Sequence, residues 1–187
     1  MSKFLLNDPY VMMPRKDIPR HLNMLNKWLG KYDKLFMRPN SGLKPFTAQL
    51  FNLRIQDDEI SLPPDWHWVE EFTEPDTLII IAGPKTIQAE YRFVIAGTEV
   101  VTGCQYMPEI AVGWTQAARD LAEEVAKAYQ PDPMFIVDIC FDGEKYWLME
   151  IGAFSVAGLY ACKMQDIVPA AVKMAVAEWE DIYGKSE

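Results

Sequence analysis

Apolar residues keep helical spacing in three places along the chain and form short blocks elsewhere. Leu22, Leu25, Trp28 and Leu29 recur every three to four positions behind Asp17 and Pro19 and ahead of Gly30, which predicts a first helix over 17–29. Ala118, Leu121, Ala122, Val125 and Tyr129 make a second stripe between Thr115, a good N-cap, and Pro131, a stop. A last helix is predicted from Asp166 as cap to Tyr183, with Pro169 in its first turn and Val172, Val176 and Trp179 facing inward. The blocks read as strands: Lys34–Arg38 closed by Pro39, the run Ala48–Ile55, and Thr77–Ile81. Glu90–Ile95 turns through Ala96-Gly97-Thr98 and returns over Glu99–Thr102. Residues 56–76 are acidic and rich in Pro and Trp; Pro63-Pro64 forbids one continuous helix there, and a lid is one reading. The order α, ββ, ββ, α, ββ, α is an α+β pattern and not the regular βαβ of a doubly wound sheet.

The most informative stretch is Met134–Tyr160, two apolar strands about Asp142-Gly143. Asp138 follows Phe135-Ile136-Val137, and Glu150 stands between Met149 and Ile151, each where a core residue is expected. Carboxylates are rarely buried without a partner, and a divalent cation is the simplest partner two of them can share. Strand alternation sets a condition. A two-residue loop, 142–143, puts the acids on opposite faces; a three-residue loop, 142–144, pairs Phe141 with Lys145 and puts both on one face. The metal reading therefore needs an odd-numbered loop. The alternative is an edge hairpin whose acids point to solvent separately.

Half of the 187 residues are hydrophobic and 12% aromatic, enough for a packed core in one domain or two small lobes. The net charge of −9 argues against a nucleic-acid or anionic-membrane binder. Cys104, Cys140 and Cys162 are widely spaced among apolar neighbours and read as reduced core thiols. Residues 1–17 lack a signal peptide's apolar core, and no run approaches a membrane span, so the chain reads as soluble and cytoplasmic, in the host cytoplasm if a phage encodes it.

Arg38 and Lys44 bracket the turn Asn40–Thr47, read as a short flexible connection, where they stand well to grip a phosphate; ordinary surface charge is the alternative. Glu90 and Arg92 share one face of their strand by the two-residue repeat and could equally be a surface ion pair. His67, between Trp66 and Trp68, has no dyad partner nearby and reads as a partly buried, structurally bonded histidine. The only other histidine, His21, is in the first helix, so a Ser-His-Asp hydrolase is disfavoured.

Four segments in order resemble the ATP-grasp superfamily, in particular its short clade named for two arginines and a lysine and frequent in phage and bacterial genomes. They are Phe36-Met37-Arg38-Pro39 with Lys44-Pro45-Phe46-Thr47; Glu90-Tyr91-Arg92-Phe93; Val137-Asp138; and Glu150-Ile151 with Phe154 and Gly158-Leu159-Tyr160. The resemblance implies two small α+β lobes with antiparallel sheets and ATP between them, the first over about 34–80 and the second over about 81–187, behind an N-terminal helical segment at 1–33. It implies that Arg38 and Lys44 bind phosphates, that Arg92 faces the γ-phosphate or the acyl-phosphate made from it, that Glu90 takes the ribose hydroxyls, and that backbone around Ile81 and Ala82 meets adenine. Asp138 and Glu150 then hold Mg²⁺.

The implied chemistry is ATP-dependent activation of a carboxylate, small or on a peptide or protein, followed by attack of an amine or other nucleophile. Phosphoryl transfer needs charge neutralisation more than a covalent protein group, which suits this set. The family pattern is Glu-x-Asn, and here Gly152 replaces the Asn, with Ser155 the nearest hydroxyl; Ala48 replaces a glycine common after Phe-Thr. A degenerate domain serving as a nucleotide-binding or interaction protein is the second reading. A second subunit or a protein partner is a further expectation, because the chain is short.

Overall fold

The computed structural model describes residues 2–41, 44–57 and 59–184. Its contacts divide the chain into two compact units, Asn7–Lys85 and Met1–Leu6 with Thr86–Glu187. Gly42 and Leu43, within the expected connection, and Asp58 lie outside the described residues.

The smaller unit contains β1 (Tyr10–Pro14), α1 (Ile18–Trp28), β2 (Lys34–Pro39), β3 (Gln49–Asn52), β4 (Arg54–Gln56), β5 (Glu59–Ser61), α2 (Trp66–Phe72) and β6 (Leu78–Ala82). Its four-stranded antiparallel sheet has the order β1-β6-β2-β3, with β4 and β5 a separate hairpin. Alternation along β2 buries Leu35, Met37 and Pro39 and leaves Lys34, Phe36 and Arg38 half-buried on the other face. Against the buried face pack Ile18, Leu22 and Leu25 of α1, with Phe51, Trp66, Val69, Ile79 and Ile81. Each such side chain contributes roughly 1.5–3 kcal/mol by leaving water.

Residues 7–33 therefore do not stand apart: β1 pairs with β6 along its whole length, and α1 builds the core under β2. Asp17 ends a short 3₁₀ turn and holds the N-cap position of α1, but its side chain makes no capping bond; its carboxylate accepts from Arg20 at 2.6 Å. The 56–76 stretch is anchored by Trp66, whose ring meets the Phe51 ring edge-on at 5.3 Å. His67 is exposed, not partly buried, and its Nδ1 lies 2.7 Å from the Pro64 carbonyl.

The larger unit contains β7 (Ala89–Ala96), β8 (Glu99–Met107), β9 (Ala111–Val112), α3 (Gln116–Ala128), β10 (Met134–Phe141), β11 (Tyr146–Ala153) and α4 (Met164–Tyr183). The strands form an antiparallel sheet in the order β11-β10-β7-β8-β9. Ala118, Ala122, Val125 and Ala126 of α3 cover one face, over Tyr91, Phe93, Ile95, Phe135, Val137 and Ile139. The Thr115 hydroxyl accepts from the Ala118 N–H at 3.3 Å, the N-cap its sequence predicts. Tyr129, expected on the buried stripe, lies beyond the helix and is exposed. The other face carries Val94, Cys104 and Ile136, met by Cys162 and by Ile167 of α4. All three cysteines are buried free thiols.

The hairpin loop differs from expectation. Phe141 pairs with Tyr146, so the loop has the even length 142–145, yet Asp138 pairs directly with Glu150. A β-bulge at Met149, between the Ile139–Leu148 and Asp138–Glu150 pairs, restores the parity within β11 and not at the turn. Asp142 closes the loop: its carboxylate accepts from the N–H groups of Glu144 (2.8 Å) and Lys145 (2.7 Å) and from the Trp147 indole (2.6 Å). Gly143, at φ +106°, takes the left-handed step.

The last helix also departs. It starts at Met164, with Asp166 and Pro169 inside it, and Val172, Val176 and Trp179 are 59%, 50% and 63% exposed instead of facing inward. Only Ile167 of this helix is buried, and every described residue beyond Met174 is exposed. A groove of about 370 Å³, lined by Met134, Phe154, Met174 and Glu178 among others, runs beside this part of the helix.

The backbone N–H groups of Lys145 and Glu144, with the Trp147 indole, hold the Asp142 carboxyl below its usual range. A depressed acid stabilises the fold above its unfolded pKa and loses that contribution as pH falls through the folded value. Asp142→Ala is expected to cost about 1 kcal/mol at pH 7, solvent screening keeping the effect small; it is read as a lower melting temperature, with the difference from wild type closing in acid.

Candidate active site

Three adjacent strands of the larger unit carry one row of charge. Across β8, β7, β10 and β11 the register aligns Cys104, Arg92, Asp138 and Glu150 as successive direct pairs. Directly opposed residues point to the same face, so the four side chains line up on the face that carries Val94 and Ile136. Glu90 joins that face two residues before Arg92, opposite Cys140.

Arg92 and Asp138 form a bidentate pair. Nε donates to Oδ1 at 2.9 Å and Nη2 to Oδ2 at 2.7 Å, with side chains only 15% and 6% exposed. The remaining Nη1 donates to the Gly158 carbonyl at 2.7 Å. Tyr106 and Tyr160 complete the surroundings: their rings are stacked at 5.0 Å between centroids, and the guanidinium carbon lies 5.5 and 5.0 Å from them. The hydrogen bonds to Asp138 hold the Arg92 pKa above its ordinary value, so this cation persists at any working pH. Burial, with the charges of Asp138 and Glu90, pushes the Tyr106 phenol up, and it stays neutral. Burial likewise pushes Cys140 and Cys162 up to about 12, which removes them as nucleophiles at neutral pH.

The structure thus brings Glu90, Arg92, Asp138 and Glu150 together on one sheet face. Arg38, Lys44, Ile81 and Ala82 belong to the smaller unit. Arg38 is on the half-buried face of β2, opposite Ile80. Lys44 is exposed, at φ +43°, its N–H donating to the Ser41 carbonyl at 3.2 Å. Ile81 and Ala82 are buried in β6 and paired on both sides, with β1 and with β2, so their main chain serves the sheet; Gly83–Lys85 directly after them belong to no strand.

Tyr106 and the Gly158 carbonyl have no counterpart in the sequence reading. Tyr106 is the extra residue of a bulge between the Glu90–Met107 and Tyr91–Gln105 pairs, and no sequence signal fixes a bulge. Tyr160 lies in a segment that carried the resemblance, without a reason for its ring; its φ of +48° turns the chain beside Arg92.

The donor set can be tested against Mg²⁺. This ion is commonly held by one or two carboxylates, with phosphate oxygens and water completing an octahedron. Asp138 and Glu150 supply that number, and a carboxylate with about four lone-pair sites is not saturated by one guanidinium. Among the described residues no cluster of three or more His, Cys, Asp or Glu could hold a metal. The residues fit an ion shared with a ligand's oxygens, not an all-protein cage.

The fold is that of an ATP-grasp protein. The family model described as an ATP-grasp domain, family 3 of the clade named for two arginines and a lysine, matches residues 45–172, and the chain belongs to that family. Among solved structures, a D-alanine–D-alanine ligase from Bacillus anthracis aligns at TM-score 0.65 and 13% identity, over 99% of this chain and 65% of its own. A RimK domain ATP-grasp protein from Sphaerobacter thermophilus aligns at 0.57 and 11%, over 93% and 59%. The ATP-grasp ligase PsnB, solved with its precursor peptide PsnA2 and AMPPNP, aligns at 0.56 and 13%, over 92% and 52%. The chain thus spans between 52% and 65% of the length of these structures. A search of curated proteins gives no match. Among the described residues no helix is long and apolar enough to cross a membrane.

Removing Asp138 strands a largely buried guanidinium. Asp138→Ala is expected to cost about 3 kcal/mol or more, whereas Glu150→Gln, partly exposed in its strand, is expected to stay within about 0.5 kcal/mol of wild type; urea unfolding of both variants checks the contrast.

Proposed function

We propose that this chain is an ATP- and Mg²⁺-dependent ligase that activates a carboxylate as an acyl-phosphate and passes it to an amine or another nucleophile. The observation that carries the reading is the row Arg92–Asp138–Glu150: a permanent cation beside two opposed carboxylates on one sheet face. Bound Mg²⁺ would neutralise phosphate charge between Asp138 and Glu150.

The chain's own groups take the following parts. Arg92, held rigid by Asp138, Gly158 and two tyrosine rings, presents positive charge where negative charge builds up on transferring oxygens, and it needs no reorganisation to do so. Arg38 and Lys44 contribute phosphate contacts. Glu90, on the same sheet face as Arg92, accepts ribose hydroxyls. The main chain about Ile81 and Ala82 meets adenine, through Gly83–Lys85 where no ladder claims it. No thiol or histidine is required. PsnB's complex with a precursor peptide supports a peptide or protein as partner, here the one that carries the carboxylate, and a cytoplasmic site of action goes with this reading.

The second reading, a nucleotide-binding or non-catalytic interaction domain, is favoured by Gly152, which removes the amide ligand of the Glu-x-Asn pattern. The structure makes this testable, because a Cβ at Gly152 meets nothing within 4 Å.

Calorimetric titration with a non-hydrolysable ATP analogue, with and without Mg²⁺, tests the proposal: affinity is expected to rise with Mg²⁺, and a folded sample that binds in neither condition refutes it. Glu150→Gln is expected to abolish most of the Mg²⁺ enhancement. Gly152→Asn, which adds an oxygen ligand on the Glu150 face, is expected to tighten Mg²⁺-dependent binding by about tenfold, the size of one charge-assisted contact.

A further inference from the structure

The apolar residues of α4 that face solvent are not scattered. Met164, Val168, Val172, Val176, Trp179, Ile182 and Tyr183 are each at least 50% exposed. At 100° per residue they form one stripe along a 20-residue helix. The Trp179 and Tyr183 rings meet at 4.2 Å between centroids, tilted by 38°, at the end where every described residue of the helix is exposed. A helix whose second half is exposed gains little from propensity alone. The pattern is that of a buried helix, yet no described part of the chain buries it.

We propose that a second copy of this chain covers the C-terminal half of the stripe, with the two α4 helices packed antiparallel about a twofold axis between Val176 and Ala177. Two observations select this occupant. The first is area. The five large apolar residues in the overlap, Val172, Val176, Trp179, Ile182 and Tyr183, are each at least half exposed and amount to on the order of 600 Å² per copy, the lower end of specific interfaces. The second is charge order. Lys173 and Glu180 are two helical turns apart and border the stripe on the same side, beside Val172 and Val176 and beside Val176 and Tyr183. In an antiparallel pair like flanks meet, so Lys173 of each copy opposes Glu180 of the other, twice over by symmetry. Antiparallel helix dipoles add to the same preference. A partner of another kind has no reason to match this internal order.

The test is sedimentation equilibrium of the full chain, with far-UV circular dichroism as a check of fold. Wild type is expected as a dimer that dissociates on dilution to a species of 21.4 kDa. Trp179→Glu, on an exposed position, is expected to be monomeric throughout. Lys173→Glu and Glu180→Lys should each weaken the dimer by about tenfold, since each sets like charges opposite one another twice. The double exchange Lys173→Glu with Glu180→Lys should return it to within about threefold of wild type, because only a self-pairing interface restores both contacts at once. A wild type that stays monomeric up to about 200 µM, well above the micromolar range of standard interfaces, overturns the proposal and leaves the stripe to another domain or protein. A dimer that survives Trp179→Glu, or a double exchange no better than the single ones, overturns it as well.

Discussion

The larger unit is organised around a charge that cannot be left alone. Arg92 sits in the central strand of a five-stranded sheet, with little of its side chain in water. Such a group is tolerable only when it is paired and hydrogen-bonded. Asp138 takes two donors, the Gly158 carbonyl takes another, and Tyr106 and Tyr160 supply the aromatic surroundings. Because Gly158 and Tyr160 lie outside any strand, the same cation pins the connection between β11 and α4 to the sheet. Below it, Cys162 and Thr102 continue the attachment, the Thr102 hydroxyl accepting from the Lys163 N–H at 3.3 Å.

Two bulges set how the carboxylates Glu90 and Glu150 are paired. Without the extra residue Met149, Glu150 would fall on the α3 side of the sheet, among Val137 and Ile139, where an ionised group has no partner. Without Tyr106 as extra residue, the pairing of Glu90 would shift by one along β8. Both bulges act by one-residue displacement, the smallest change that reverses a strand's faces. The row of charge is thus a product of register as much as of residue type.

Much of this was legible in the sequence. The apolar runs marked every strand of the larger unit except the two-residue β9, and Thr115 and Pro131 bounded α3 to within about two residues, the usual uncertainty of helix ends. The segments around Arg92, Asp138 and Glu150 indicated the family. The loop parity was misplaced because a bulge leaves no mark in composition. The orientation of α4 was misread for a different reason: apolar periodicity says that a helix face is to be covered, but not by which molecule. β1 went unseen because Tyr10–Pro14 has no alternation; its place is set by β6, about 70 residues further along, a distance that local pattern cannot span.

The Arg92–Asp138 pair also says something about how the sheet is put together. β7 with β8, and β10 with β11, are each closed by a short turn, so either hairpin can zip from its own loop. The guanidinium arrives on one and its carboxylate on the other. They meet only when β10 docks on β7, a long-range pairing whose closure entropy comes due in a single step. Neither hairpin alone holds both members of the ion pair: the β10–β11 hairpin can bring Asp138 beside Glu150, but the cation joins them only once the central sheet has formed.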